Sequence, residues 1–396
     1  MSSAAVHSHT YNKETNVRQI FLKSLGAAAI SLALMGSAVA DVNVGVIFSL
    51  TGPAASLGNE TRKSVELFPK MIGKEKMNYI VLDDATDPTS AVKNARKLVE
   101  EHKVDALFGP NLTSAGLAIA DVANEKGVPL LSQAPIEVAP DKQKWAFHVE
   151  PLAEVMVGRL VADMKASGVK TVGFIGFSDS WGELLLKAIN KTTEQAGIKV
   201  VALERFGRTD TSVAAQALKI LAAKPDAVFV GGAGTPAAMP HTTLRERGYK
   251  GLIYHSHAVA NKDFLRVGGK AIEGARLAVA PVLVAEQLPD THPNKQTALR
   301  FLKALEEKYG PDSRSTFAGA SWDGAQILES ATASALKSAR PGTPEFREAL
   351  RNGLEKTSKL TGANGTYTMS ASDHGGYDPS AAVLIEVRGG KWKYLN

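Results

Sequence analysis

The sequence predicts an α/β protein built on parallel sheets, and three observations predict it. Short apolar runs alternate with amphipathic helical stretches along most of the chain. Each run stops at a polar or glycine-containing turn from which a helix starts, and the whole pattern occurs twice in succession. Strand–helix units repeated in this way pair side by side through right-handed crossovers, so two α/β halves are expected one after the other.

Residues 1–40 stand outside the pattern. Lys13, Arg18 and Lys23 precede an apolar stretch over residues 25–35, and Ala38-Val39-Ala40 has the small-x-small form of a cleavage site. The segment therefore reads as a secretory signal peptide, with Asp41 as the mature N-terminus. Its apolar run is too short for a comfortable membrane span. The sequence contains no cysteine, so neither a lipid-anchoring thiol nor a disulfide is available, and a freely diffusing periplasmic protein is expected rather than a lipoprotein. Removing three basic residues and one acidic residue with the leader lowers the formal charge from +6 to +4. No basic block interleaved with aromatics remains, which argues against nucleic acid as a partner. The length of the mature chain exceeds what one core normally supports and points to two domains.

Within the first half, Val42–Phe48 is a strand broken by Ser49-Leu50-Thr51-Gly52-Pro53 before a helix expected over residues 59–72. A second strand falls at 79–82. Asp87-Pro88 supplies a cap with proline at the first helical position, and Ala91, Ala95, Leu98 and Val99 recur on one helical face. Residues 104–108 and 128–131 complete four strands. In the second half, a helix over 153–167 leads to a strand at 171–176, a turn at 177–182 and a helix through 196. Strands at 199–202, 227–230 and 251–255 alternate with helices at 212–223 and 237–247. Long helices over 293–309 and 316–337 follow. Residues 383–387 and 392–394, around Gly389-Gly390, read as a terminal hairpin.

The turn Asn111-Leu112-Thr113-Ser114 lies between the 104–108 strand and a helix over 117–126. There the Thr113 and Ser114 hydroxyls and the free N–H groups of the first helical turn converge, which suits a carboxylate or phosphate. The ordinary reading is that one of the two hydroxyls caps the helix. Other motifs are weaker. Gly232-Ala233-Gly234-Thr235-Pro236-Ala237 has the G-x-G-x-x-A form, but the next strand ends in His255-Ser256-His257 where a dinucleotide site needs an acid. His255 and His257 share a strand face, yet no cysteine completes a metal cluster. Gly176-Phe177-Ser178-Asp179-Ser180 lacks the last glycine of a nucleophile elbow, so an exported hydrolase ranks third among functional classes. No catalytic residue, metal or cofactor is expected. Trp181 and Phe317 flank polar turns at strand ends, a placement that suits rings lining a crevice.

The segments VNVGVIFSLTGPAASLGNE, LDDATDPTSAVKNARKLV, LFGPNLTSAG with VPLLS, and GFSDSWGELL, in that order, resemble the periplasmic solute-binding proteins of ATP-driven importers, in the leucine/isoleucine/valine-binding branch. The resemblance spans residues 41–396. It implies the type I periplasmic binding protein fold, two Rossmann-like lobes joined by three crossings and closing on a ligand. The implied lobes are 41–150 with 281–366, and 151–280 with 367–396. It also implies a monomer, and as partners an inner-membrane permease with cytoplasmic ATPase subunits.

Carried over residue by residue, the serine that holds a ligand carboxylate in this family falls on Thr113. A backbone contact falls on Ala134 and two covering aromatics fall on Trp181 and Phe317. The acid that receives the amino group falls on His257, a neighbouring tyrosine on Ala233, and a second hydroxyl contact on Ile136. Leu57, Asn111, Ser114 and Ser132 complete the implied ligand-binding set. The anion-holding half is retained and the ammonium-holding half is not. An unpaired buried ammonium is costly, so the expected ligand is a small carboxylate such as a benzoate, hydroxybenzoate or cinnamate derivative. The segments PVLVAEQLPDTHP and HSHAVANKDFLRV are similar to an aromatic-acid-importing subgroup. A branched-chain amino-acid-binding protein, needing an acidic group besides His257, and a periplasmic sensor subunit are the alternatives.

Overall fold

The computed structural model describes residues 41–395; the signal peptide expected over residues 1–40 lies outside the described residues. Two separate sheets carry the chain. The first contains β1 (Val42–Phe48), β2 (Met71–Ile72), β3 (Glu75–Asp83), β4 (Ala106–Phe108), β5 (Leu130–Ser132) and β6 (Ala146–His148), in the order β2-β3-β1-β4-β5-β6. All its neighbours are parallel except β2 and β3. The second sheet contains β7 (Thr171–Phe177), β8 (Lys199–Phe206), β9 (Ala227–Gly231), β10 (Leu252–His255) and β11 (Arg276–Val279). A short hairpin of β12 (Leu360–Thr361) and β13 (Thr366–Tyr367) intervenes in the chain before β14 (Val383–Arg388) and β15 (Lys391–Leu395) join the second sheet, whose order is β15-β14-β11-β10-β9-β7-β8. β7 to β11 are parallel, and the terminal hairpin is antiparallel.

Helices cover both sheets: α1 (Ala55–Val65), α2 (Pro88–Glu100), α3 (Thr113–Lys126), α4 (Ala153–Ala166), α5 (Ser180–Ala196), α6 (Ala214–Ala222), α7 (Ala238–Glu246) and α8 (Lys262–Gly268), then α9 (Lys295–Tyr309), α10 (Thr316–Ala335) and α11 (Pro344–Glu355). α2 follows its sequence pattern closely. The Asp87 carboxylate accepts from Ser90 N at 2.8 Å, Pro88 occupies the first helical turn, and Ala91, Ala95, Leu98 and Val99 are the buried face. The helix expected over 59–72 is instead shorter. It ends at Val65 because Pro69 follows, and Met71–Ile72 turns back as β2 against β3.

Strand order fixes where a site can form. From β1 the chain goes first to β3 on one side and then to β4 on the other, so the first sheet reverses direction between β1 and β4. The second sheet reverses in the same way between β7, which leads to β8, and β9. Loops leaving the carboxyl ends of strands diverge at such points and open a crevice. The chain passes from the first sheet to the second after β6 and returns after β11. Tyr367 and Met369 pack in the first sheet's apolar cluster, and His374 stacks on Phe147 at 3.9 Å. Residues 367–374 thus pack with the first sheet, past the 366/367 boundary that the family resemblance implies. The lobes meet: Leu57 and Phe317 belong to the second sheet's apolar cluster, and Lys187 Nζ lies 2.5 Å from Glu137 Oε2. Among the described residues, no helix is long and apolar enough to cross a membrane.

Candidate functional site

The two reversal points face one cavity. The loop after β4 brings Asn111, Leu112 and Thr113, and the segment after β5 brings Gln133, Ala134 and Pro135. Trp181 comes from the start of α5 after β7, and Ala233 from the loop after β9. Leu57, Glu150, Arg208, His257, Ala258 and Phe317 close the wall. The space between these walls is about 370 Å³.

Thr113 is the first residue of α3, and its hydroxyl does not cap the helix. The cap position is Leu112, in extended conformation, with no side-chain cap bond. The expectation that Thr113 or Ser114 serves as the cap is thus not met. The first-turn N–H groups lack a side-chain acceptor at the rim of the cavity, a positive helix end facing it. Arg208 stands in the same wall with its charge paired to a carboxylate. Its Nε donates to Asp179 Oδ2 at 2.6 Å, and its guanidinium lies over the Phe177 ring at 4.3 Å. Asp179 also accepts from Trp181 N and Gly182 N at 3.0 and 3.1 Å, so one carboxylate both caps α5 and steers Arg208. Gly182 is required here, because a Cβ would stand 1.8 Å from the Phe177 carbonyl oxygen.

Trp181 is held by its indole N–H, which donates to Gly232 O at 3.2 Å, and its ring meets His257 edge-on at 5.4 Å. His257 is buried, and burial holds its imidazole down at about 4, so it is neutral near pH 7. Its Nε2 lies 3.9 Å from Glu150 Oε2. Glu150 is buried as well. Burial, with the neighbouring Asp323 carboxyl repelling in addition, pushes its carboxyl up to about 8. Gln133 is 4% exposed, and neither its amide nitrogen nor its amide oxygen has a hydrogen-bond partner among the described residues.

Of the residues singled out from sequence, Leu57, Asn111, Thr113, Ala134, Trp181, Ala233, His257 and Phe317 line this one cavity. Ser114, Ser132 and Ile136 do not. The Ser132 hydroxyl donates to Ala134 O at 2.7 Å and accepts from Ala134 N at 3.1 Å, so it shapes the turn. The Ala134 N–H is thereby engaged, while its carbonyl retains a second lone pair. Ile136 packs against the Gly116 backbone of α3, where a Cβ would meet its Cγ2 at 2.7 Å. Asn111 is largely structural: Oδ1 accepts from Ser49 N at 3.2 Å and Nδ2 donates to Thr61 Oγ1 at 2.9 Å. Gln133, Glu150 and Arg208 were missed. Glu150 directly follows the apolar-flanked Phe147-His148-Val149 and precedes Pro151, a strand-end acid that such a position could have flagged.

A family model described as periplasmic binding protein matches residues 41–391. A Leu/Ile/Val-binding protein of Rhizobium johnstonii is 26% identical over 319 residues, covering 73% of this chain and 85% of that protein. The solved structure of an extracellular ligand-binding receptor from Rhodopseudomonas palustris is 44% identical and superposes with a TM-score of 0.88, over 90% of this chain and all of that one. A leucine-binding protein from Thermotoga maritima shares the fold at 20% identity, with a TM-score of 0.76 over 90% of this chain and 98% of that one. The chain belongs to the periplasmic binding protein family.

Proposed function

We propose that the protein is the extracytoplasmic binding subunit of an ABC importer and holds an aromatic carboxylate between its lobes. The observation that carries this reading is one cavity with Trp181 and Phe317 in its wall and, at its rim, the uncapped positive end of α3 beside the Thr113 hydroxyl, with the Arg208–Asp179 pair close by. A carboxylate meets charge-assisted donors there, and a flat ring meets aromatic faces. His257 is neutral and Glu150 is protonated near pH 7, so the resting cavity offers no anion to an ammonium. In this reading the ligand docks on the first lobe at Thr113, and closure of the second brings Trp181 and His257 over it. The closed form then docks on a membrane permease served by cytoplasmic ATPases. Export through a cleaved leader, a periplasmic location and a monomeric state complete the proposal. In this reading the lobes divide near residues 150 and 280 and after residue 374.

One observation favours a second reading. Glu150 is the acidic group near His257 that a branched-chain amino acid needs, and a bound ammonium would draw its proton off. The experiment that decides is a thermal-shift screen of the mature protein against benzoates, cinnamates, leucine and valine, since a ligand that binds only the folded state raises the melting temperature. Stabilisation by the aromatic acids and not by leucine supports the proposal; stabilisation by leucine or valine alone overturns it. Thr113→Val is expected to weaken the bound carboxylate by about 1–3 kcal/mol in a calorimetric titration.

A further inference from the structure

Three of the residues that line the cavity, Gln133, Glu150 and His257, are more specific than an apolar wall needs, and two of them, Glu150 and His257, approach to 3.9 Å. All three side chains are at least nine-tenths buried and line the cavity. Gln133 leaves both amide atoms without a partner, and His257 leaves Nδ1 without one. Buried polar atoms are rarely left in this condition unless something else satisfies them. No cation lies at hydrogen-bond distance from Glu150 among the described residues; its one close polar neighbour is His257 Nε2 at 3.9 Å. The groups around it are acidic or phenolic. Asp323, already accepting from Ala363 N, Asn364 N and Tyr367 Oη, adds negative charge, and Tyr367 and Tyr377 contribute rings. Arg208, the cation of the cavity wall, is engaged with Asp179.

We infer that Gln133, Glu150 and His257 together form a neutral subsite for a hydroxyl group on the ligand, so that the protein selects hydroxylated aromatic carboxylates over both unsubstituted ones and amino acids. A hydroxyl both donates and accepts, which matches an amide with both ends open and a carboxylic acid that keeps its proton. An ammonium only donates. It would leave the Gln133 nitrogen unpaired and require Glu150 to ionise next to Asp323. A plain aromatic ring would leave every one of these atoms unsatisfied, and a site built around buried polar groups rejects a ligand lacking their partner strongly.

The inference rests on the proposed aromatic-carboxylate function, and the test separates the two. Dissociation constants of the mature protein are measured by calorimetry for benzoate against 4-hydroxybenzoate and for cinnamate against 4-hydroxycinnamate, with leucine alongside. Each titration is run at pH 7 in two buffers of different ionisation enthalpy, so that proton release is counted. The expected result is at least one hydroxylated acid binding about tenfold or more tighter than its parent, a difference of about 1.4 kcal/mol, with no net proton release. Gln133→Leu should then collapse that ratio while affinity for the parent acid changes less. Equal affinity for both members of each pair overturns the subsite and leaves the aromatic-carboxylate function standing. Binding of leucine alone, with about one proton released per ligand, overturns both.

Discussion

Replacing His241 and His255 together by phenylalanine should shift the acid stability of the second lobe by about 4 kcal/mol between pH 7.5 and pH 5. The two rings are stacked, 5.2 Å apart and 9° from parallel, with His241 Nδ1 2.9 Å from His255 Nε2. Both are fully buried, and among the described residues His241 Nε2 and His255 Nδ1 have no hydrogen-bond partner. Burial pushes the imidazoles down, to about 2 for His241, where His255 adds repulsion, and about 3 for His255. In the unfolded chain each titrates near 6.5, so at pH 5 the unfolded state has bound a proton that the folded state refuses. These groups leave stability intact above pH 6.5 and erode it as pH falls towards their folded values. At pH 5 the loss is about 1.36 kcal/mol over one and a half pH units, or about 2 kcal/mol per histidine. Phenylalanine keeps the ring volume and removes both hydrogen-bonding partners at once, so no orphan is created. Glu150 and Asp323 titrate in the opposite sense, because burial raises both, to about 8 and about 7; the informative quantity is therefore the difference between variant and wild type. Urea unfolding at pH 7.5, 6 and 5 measures it. Parallel stability curves for the two proteins would refute the argument that the pair stays uncharged in the fold.

Two further predictions concern the site and its closure. Asp179→Ala removes the α5 cap, at a cost of about 1 kcal/mol in stability, and releases Arg208; carboxylate affinity should fall further than for Asp179→Asn, which keeps a capping oxygen, when both are compared by calorimetry. Lys187→Glu places like charge against Glu137 across the lobes, so affinity should drop about two- to fivefold at low salt and recover at high salt, because the pair is solvent-exposed.

What the sequence made legible follows from what is local. Strand–helix alternation was readable because each amphipathic face has its own period, and the α2 cap because Asp87-Pro88 is a complete signal in two residues. The same signal at Thr343-Pro344, where the Thr343 hydroxyl accepts from Phe346 N at 3.1 Å, marks α11 and was overlooked. β6 and β11 escaped, although β4, β5 and β10 are as short and were read. In the site, Thr113 and Trp181 were legible since each stands just past the carboxyl end of a strand at a reversal point.

Gln133, Glu150 and Arg208 were not singled out; the strand-end place of Glu150 could have marked it as a candidate, but not what it does. Glu150 lies on the first crossing, one residue before Pro151, and meets His257 of the second lobe across 107 positions of sequence. Its meaning depends on the lobes being brought together. The same fact ties recognition to closure: a group on the crossing and a group on the second lobe form one subsite only when the lobes approach. A ligand that bonds to both lobes contributes differential affinity for the closed form, the quantity by which a ligand shifts such an equilibrium. A ligand that reaches only the Thr113 rim binds the first lobe in either state and leaves the lobes where they were. The neutral subsite at the crossing therefore separates ligands that are merely held from ligands that close the protein.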